Sequence, residues 1–183
     1  MQRRTRLEIL IALLALAGGL TSCGGGMSDP AALAGLGSTD QRLRAEAVGH
    51  LVQRGEAVAP AVEEILRTGT SLERQEAVGV LARIRPGNSS TWDVLAGLLT
   101  EEDQELRLRA ALHLAEHGDA RGREVLEAHL SHGDHRTRRQ VIRLLGRIGN
   151  PGTAQMLAAR LAQEDDPAVL QALRQAQREI ESR

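Results

Sequence analysis

Asp40-Gln41-Arg42-Leu43-Arg44-Ala45-Glu46-Ala47 decides the fold, because the chain writes this pattern four times. It returns as Thr70-Ser71-Leu72-Glu73-Arg74-Gln75-Glu76-Ala77 and as Asp103-Gln104-Glu105-Leu106-Arg107-Leu108-Arg109-Ala110. The fourth copy is Asp134-His135-Arg136-Thr137-Arg138-Arg139-Gln140-Val141. A fifth, Asp166 to Leu173, keeps the first and the apolar positions and replaces the arginine. The arginines at 44, 74, 107 and 138 stand 30, 33 and 31 residues apart, and Leu51, Leu81, Leu114 and Leu145 follow at the matching place. A period of this length marks one supersecondary unit that buries its apolar face on copies of itself.

Each copy predicts a helix with legible ends. Asp40, Asp103, Asp134 and Asp166 suit N-caps, where a carboxylate accepts the orphan N–H groups of the first turn. Pro167 suits a first helical position. Leu43, Ala47 and Leu51 recur every four residues as an apolar stripe. Gly55, Gly118 and Gly149 suit a left-handed stop after the helix. The second copy lacks the aspartate and the closing glycine, and Gly87 and Asn88 are expected to turn the chain there after Pro86. A further helix precedes each copy, over about 58–66, 91–99, 120–130 and 151–161, each ending on a leucine shortly before the next cap. Leu36 stands in the same relation to Asp40, so Asp29 to Leu36 reads as a short opening helix. That makes five helix pairs. The last helix, with Arg174, Gln175, Gln177, Arg178 and Glu179, is polar enough to close a stack.

The aspartate, Leu/Val-Arg, Ala, later Leu and closing Gly together resemble HEAT repeats, particularly the short type also found in phycobilisome-lyase-like proteins. The resemblance covers nearly all of residues 29–183. It implies an all-α fold, an α-solenoid of about five HEAT-like helix pairs. It also implies a concave surface lined by the second helix of each pair, a ladder in which the recurring arginines tie one pair to the next through aspartate, and work as a binding scaffold. An irregular helical bundle is the alternative, and it too is all-α.

The N-terminal segment reads as an export signal. Arg3, Arg4 and Arg6 precede an apolar run from Ile9 to Leu16, which is too short to span a bilayer at about 20 apolar residues. Leu20-Thr21-Ser22-Cys23 follows and resembles the lipobox of bacterial lipoproteins. The resemblance implies a signal peptide over 1–22, cleavage before Cys23, and lipid on that cysteine. Residues 23–28 then form a short Gly-rich tether. Cys23 is the only cysteine, and lipidation explains a thiol with no internal partner. An ordinary signal peptide with an incidental cysteine, or an uncleaved anchor, is the alternative. Gly24 stands where an aspartate would signal inner-membrane retention in families with sorting rules. The expected location is therefore the outer membrane, facing the periplasm.

Composition excludes some functions. Cleavage before Cys23 removes Arg3, Arg4, Arg6 and Glu8, leaving 20 basic against 23 acidic residues, a net charge of −3. Nucleic acid is not an expected partner, since phosphate neutralisation needs a basic surplus. Phe and Tyr are absent and Trp92 is the only aromatic residue, so the core must be aliphatic. No Gly-rich phosphate loop or nucleophile elbow stands out, and the chain is read as a non-enzyme without cofactor.

Three sets of residues remain as candidates. His113, His117, His129, His132 and His135 are close in sequence, and an i,i+4 pair can clamp a metal. No carboxylate or cysteine completes a ligand set, and the chain lacks the His-Glu dipeptides of HEAT-type di-iron hydroxylases. These histidines read as surface or cap residues, with a metal-binding or enzymatic role as the alternative. Arg136, Arg139, Arg143 and Arg147 are spaced by three and four and so line one helix face. The matching positions elsewhere, Glu105, Arg109 and Glu116 or Arg42, Glu46 and Gln53, are mixed. The arginine face is either simply solvated or a contact for an acidic protein segment or an anionic headgroup, arginine being suited to bidentate carboxylate and phosphate binding. Trp92 reads as packing at a helix start, with an exposed anchor as the alternative. The expected function is a membrane-anchored scaffold or adaptor of the bacterial envelope.

Overall fold

The computed structural model describes residues 26–85 and 89–183. The expected signal peptide, Cys23 and the expected turn after Pro86 lie outside the described residues. The chain divides into two compact units, with the boundary between Thr91 and Trp92.

The first unit holds α1 (Asp29–Gly35), α2 (Gln41–Arg54), α3 (Ala59–Thr68), α4 (Ser71–Ile84) and the start of α5 (Ser89–Gly97). The second holds the rest of α5, then α6 (Gln104–Glu116), α7 (Arg123–Ala128), α8 (His135–Ile148), α9 (Pro151–Leu161) and α10 (Pro167–Glu181). Turns of 3-10 helix at Gly55–Val58, Leu98–Thr100 and Ala120–Gly122 lead into or out of the first helices of the pairs. Among the described residues there is no strand. The fold is all-α, and within each unit the pairs stack in the manner of an α-solenoid.

The capping chemistry matches the sequence. The Asp40 carboxylate accepts from the N–H groups of Arg42 and Leu43, Asp103 from Glu105 and Leu106, Asp134 from Thr137, and Asp166 from Ala168 and Val169. Where the second copy lacks an aspartate, Thr70 and Glu73 form a reciprocal capping box. Gly55 and Gly118 have positive φ, 59° and 79°.

Gly149 corrects the expectation of a left-handed stop, since its backbone is extended at φ −67°. Space explains the glycine instead. A Cβ there would lie 2.5 Å from the Leu145 carbonyl oxygen and 2.7 Å from Ile180 Cδ1. Leu43 is a second correction: it is 39% exposed, while Ala47 and Leu51 of the same stripe are fully buried. The seven-residue α1 covers only part of the fourteen-residue α2.

In the first unit α1 packs on α2 and α3 on α4, with the second helices α2 and α4 side by side. Leu33, Leu51, Val62, Val78 and Leu81 are buried there. In the second unit α7 packs on α8 and α9 on α10, while α6, α8 and α10 are consecutive neighbours. Leu126, Ile142, Leu145, Leu157 and Leu173 form the centre of its core, each fully buried. Full burial of such a side chain contributes about 1.5–3 kcal/mol, so aliphatic repetition alone supplies a core without Phe or Tyr.

Candidate functional site

The recurring arginines are structural, by a different route from the aspartate ladder that the resemblance implied. Arg44 donates to the Ser38 carbonyl, Arg74 to that of Leu66, Arg107 to that of Glu101, and Arg138 to that of His132. Each side chain thus reaches back over its own N-cap to the end of the preceding helix or the turn after it. Two contacts to other pairs run to glutamate, Arg44 to Glu76 at 3.7 Å and Arg138 to Glu164 at 2.9 Å. Carbonyl acceptors suit this position, because the end of the preceding helix leaves them without partners.

Glu164 is the most buried carboxylate of this system, its side chain 3% exposed. Arg138 binds both its oxygens, at 3.0 and 2.9 Å, and Arg160 adds a third contact at 2.7 Å. The N–H groups of Asp165 and Asp166 also donate to it. Burial pushes its pKa up; the Arg138 hydrogen bond, the Asp166 N–H and both guanidinium charges outweigh that and hold it below the ordinary glutamate value.

The arginine face of α8 is built by helical periodicity. Val141, Ile142, Leu144, Leu145 and Ile148 are buried, while Arg136, Arg139, Arg143 and Arg147 are exposed. Arg147 donates to the Glu116 carbonyl at 3.2 Å. The guanidinium groups of Arg136, Arg139 and Arg143 have no hydrogen-bond or ion-pair partner among the described residues. The equivalent faces differ. Arg42 pairs with Glu46 at 3.0 Å on α2, and Arg109 with Glu105 at 3.5 Å on α6. Those faces neutralise themselves through i,i+4 pairs, whereas α8 has no acidic residue with which to do so.

A groove lies beside this face, between α8 and α10. Arg139, Arg143, Ala168, Gln171, Ala172 and Gln175 line a depression of about 320 Å³. Arg143, Arg147, Ala172, Gln175, Ala176 and Glu179 line most of a second, of about 260 Å³. They share Arg143, Ala172 and Gln175 and so continue into one another. The helices approach closely at the second, where a Cβ on Gly146 would lie 2.9 Å from Ala176 Cα. The α10 side was missed in the sequence, where this helix reads only as a polar end. The available signal was the pair of four-residue series, Ala168-Ala172-Ala176 and Gln171-Gln175, the first running from an exposed residue into the buried face.

The five candidate histidines form no common cluster, though the rings of His129 and His132 stack with centroids 6.2 Å apart. His113 Nδ1 lies 3.0 Å from Glu116, whose pKa this hydrogen bond lowers against burial. His117 stacks on Trp92 with ring centroids 4.1 Å apart, so Trp92 packs at the start of the second unit. His129 Nδ1 lies 2.7 Å from the Val125 carbonyl oxygen, and His132 Nδ1 accepts from the Asp134 N–H. His135 faces Asp134 at 4.0 Å. Among the described residues no three His, Cys, Asp or Glu side chains converge on a metal position. Nor is any described helix long and apolar enough to cross a membrane.

Residues 92–178 match the family model for HEAT repeats. No curated protein matches the chain. Among solved structures, the crystal structure of an engineered protein is similar at 23% identity, over 98% of this chain and 89% of that one, with a TM-score of 0.46. The repeat match falls on the segment that carries the arginine face and the groove. It supports a HEAT-repeat protein, a helical repeat scaffold of the kind that mediates protein interaction and is typically non-enzymatic.

Proposed function

We propose that this chain is a bacterial lipoprotein, held to a membrane by lipid on Cys23, whose repeats bind a protein partner as a scaffold or adaptor of the envelope. The observation that carries the binding role is the set of exposed, unpaired guanidinium groups of Arg136, Arg139 and Arg143 beside a groove. Three positive charges on one helix face, with no acidic residue in that helix, repel one another, and a partner's carboxylates relieve that. The anchor rests on the sequence: a basic start, a short apolar run, and Leu20-Thr21-Ser22-Cys23 at its end. Two or more acyl chains hold firmly where one is marginal. The location proposed is the outer membrane, facing the periplasm. About six residues lead from Cys23 to α1, a leash of about 20 Å at most.

The test has two arms. Metabolic labelling with a radioactive fatty acid should mark the wild-type chain and not Cys23→Ala, which should also keep precursor mobility; label on the variant would remove the anchor. Crosslinking and affinity capture from membranes should recover a reproducible partner with the wild type and not with Arg139→Glu/Arg143→Glu. Equal recovery by both would remove the binding role from this face.

A further inference from the structure

We propose that the groove between α8 and α10 binds an extended acidic segment of a partner protein and reads carboxylates at alternate positions, with Arg139 and Arg143 taking one each. This rests on the scaffold reading above and adds the chemistry of the occupant.

Three parallel series shape the groove, each with a step of four residues. Arg139, Arg143 and Arg147 form the cationic wall on α8. Ala168, Ala172 and Ala176 form a floor on α10, with Gln171 and Gln175 as the opposite wall. A step of four residues along a helix is a rise of about 6 Å. Alternate side chains of an extended strand are about 6.6 Å apart. A strand laid along the groove therefore places every second side chain over successive arginines. The alanine floor leaves room for its backbone, and the exposed Gln171 amide offers both donors and an acceptor to backbone C=O and N–H groups, while Gln175 is already bonded to Glu179 and Arg178.

Charge gives the groove a direction. At one end Arg139 and Arg143 are unpaired among the described residues, with exposed Arg136 one turn beyond. At the other end Arg147 donates to the Glu116 carbonyl, Arg183 donates to the Arg147 and Gly146 carbonyls, and the Glu179 carboxylate lines the wall. The acidic pair belongs at the first end, away from Glu179.

Fluorescence anisotropy with the full chain in detergent tests this, using three short Ser/Gly peptides that each carry two glutamates. The glutamates are adjacent in one, separated by one residue in the next, and by two in the last. The one-residue gap should bind about tenfold more tightly than either other spacing, the gain from placing one further charge-assisted hydrogen bond correctly. Arg139→Gln/Arg143→Gln should abolish the preference with helical circular dichroism unchanged. Ala168→Phe, which leaves every charge in place and fills the floor from an exposed position, should also abolish it. Equal affinity for all three spacings would overturn the register, as would undiminished preference in Ala168→Phe. If the spacings bind equally while membrane capture still depends on Arg139 and Arg143, this inference fails and the scaffold reading stands. If capture is indifferent to those arginines, both fail.

Discussion

Glu164 shows what a single residue contributes that no local pattern announces. Its partners Arg138 and Arg160 come from α8 and α9, and its own position lies in the turn before α10. Removing it leaves two partly buried guanidinium groups facing each other, so Glu164→Ala should destabilise the second unit by about 3 kcal/mol, measured by urea unfolding. Its pH dependence has a definite sign. The folded pKa lies below the ordinary value, so the contribution is complete above about pH 5 and is lost as pH falls through the lowered folded value. Melting temperatures of wild type and Glu164→Gln should therefore converge as pH falls toward 3; a constant gap would contradict this. The N-cap aspartates were legible because cap and helix are adjacent in sequence. Glu164 was not, since the contact to Arg138 spans 26 residues and only the four-residue spacing to Arg160 marks position 164 locally.

Elements were legible to the extent that their ends are chemical. Asp103, Asp134 and Asp166 start helices as their sequence placed them, and Asp103→Ala should lower stability by about 1 kcal/mol through the lost cap. Glycines divide in a way the sequence cannot show, because the same residue serves one of two purposes at some positions and neither at others. Gly118 supplies positive φ, Gly149 supplies space, and Gly49 in α2 supplies neither, with nothing within 4 Å of a Cβ added there. Gly49→Ala should thus stabilise by about 0.5–1 kcal/mol through helix propensity. Gly149→Ala should destabilise by about 1–3 kcal/mol through forced overlap with Leu145 and Ile180. Thermal unfolding of the two variants should move in opposite directions, and a matched loss in both would mean that α2 needs its glycine for a reason outside these contacts. The arginine face of α8 was legible for the same reason as its core face, one periodicity writing both. Its α10 half was hidden because alanine and glutamine carry no chemical signature until a second helix lies beside them.

Scale changes the electrostatics again at the level of the whole molecule. The full chain carries a net charge of −1, and −3 once residues 1–22 are removed, yet the proposed contact is cationic. An acidic segment approaching from solution meets a field that is net repulsive or near zero beyond a Debye length, about 10 Å at 0.1 M salt. Only within that distance do Arg139 and Arg143 dominate. Long-range steering therefore has little to add, and association should proceed at about 10⁵–10⁷ M⁻¹s⁻¹, the range set by orientation alone. The arginines act after contact, so their loss should appear in the dissociation rate. Stopped-flow anisotropy with the one-gap glutamate peptide should show an association rate that changes less than about threefold between 0.05 and 0.3 M salt, within the spread typical for one interface. Arg139→Gln/Arg143→Gln should dissociate at least about tenfold faster, with association nearly unchanged. A steep fall in the association rate with salt would show instead that the basic face projects its field past the surrounding acidic residues, and that the partner is found by charge before it is recognised by spacing.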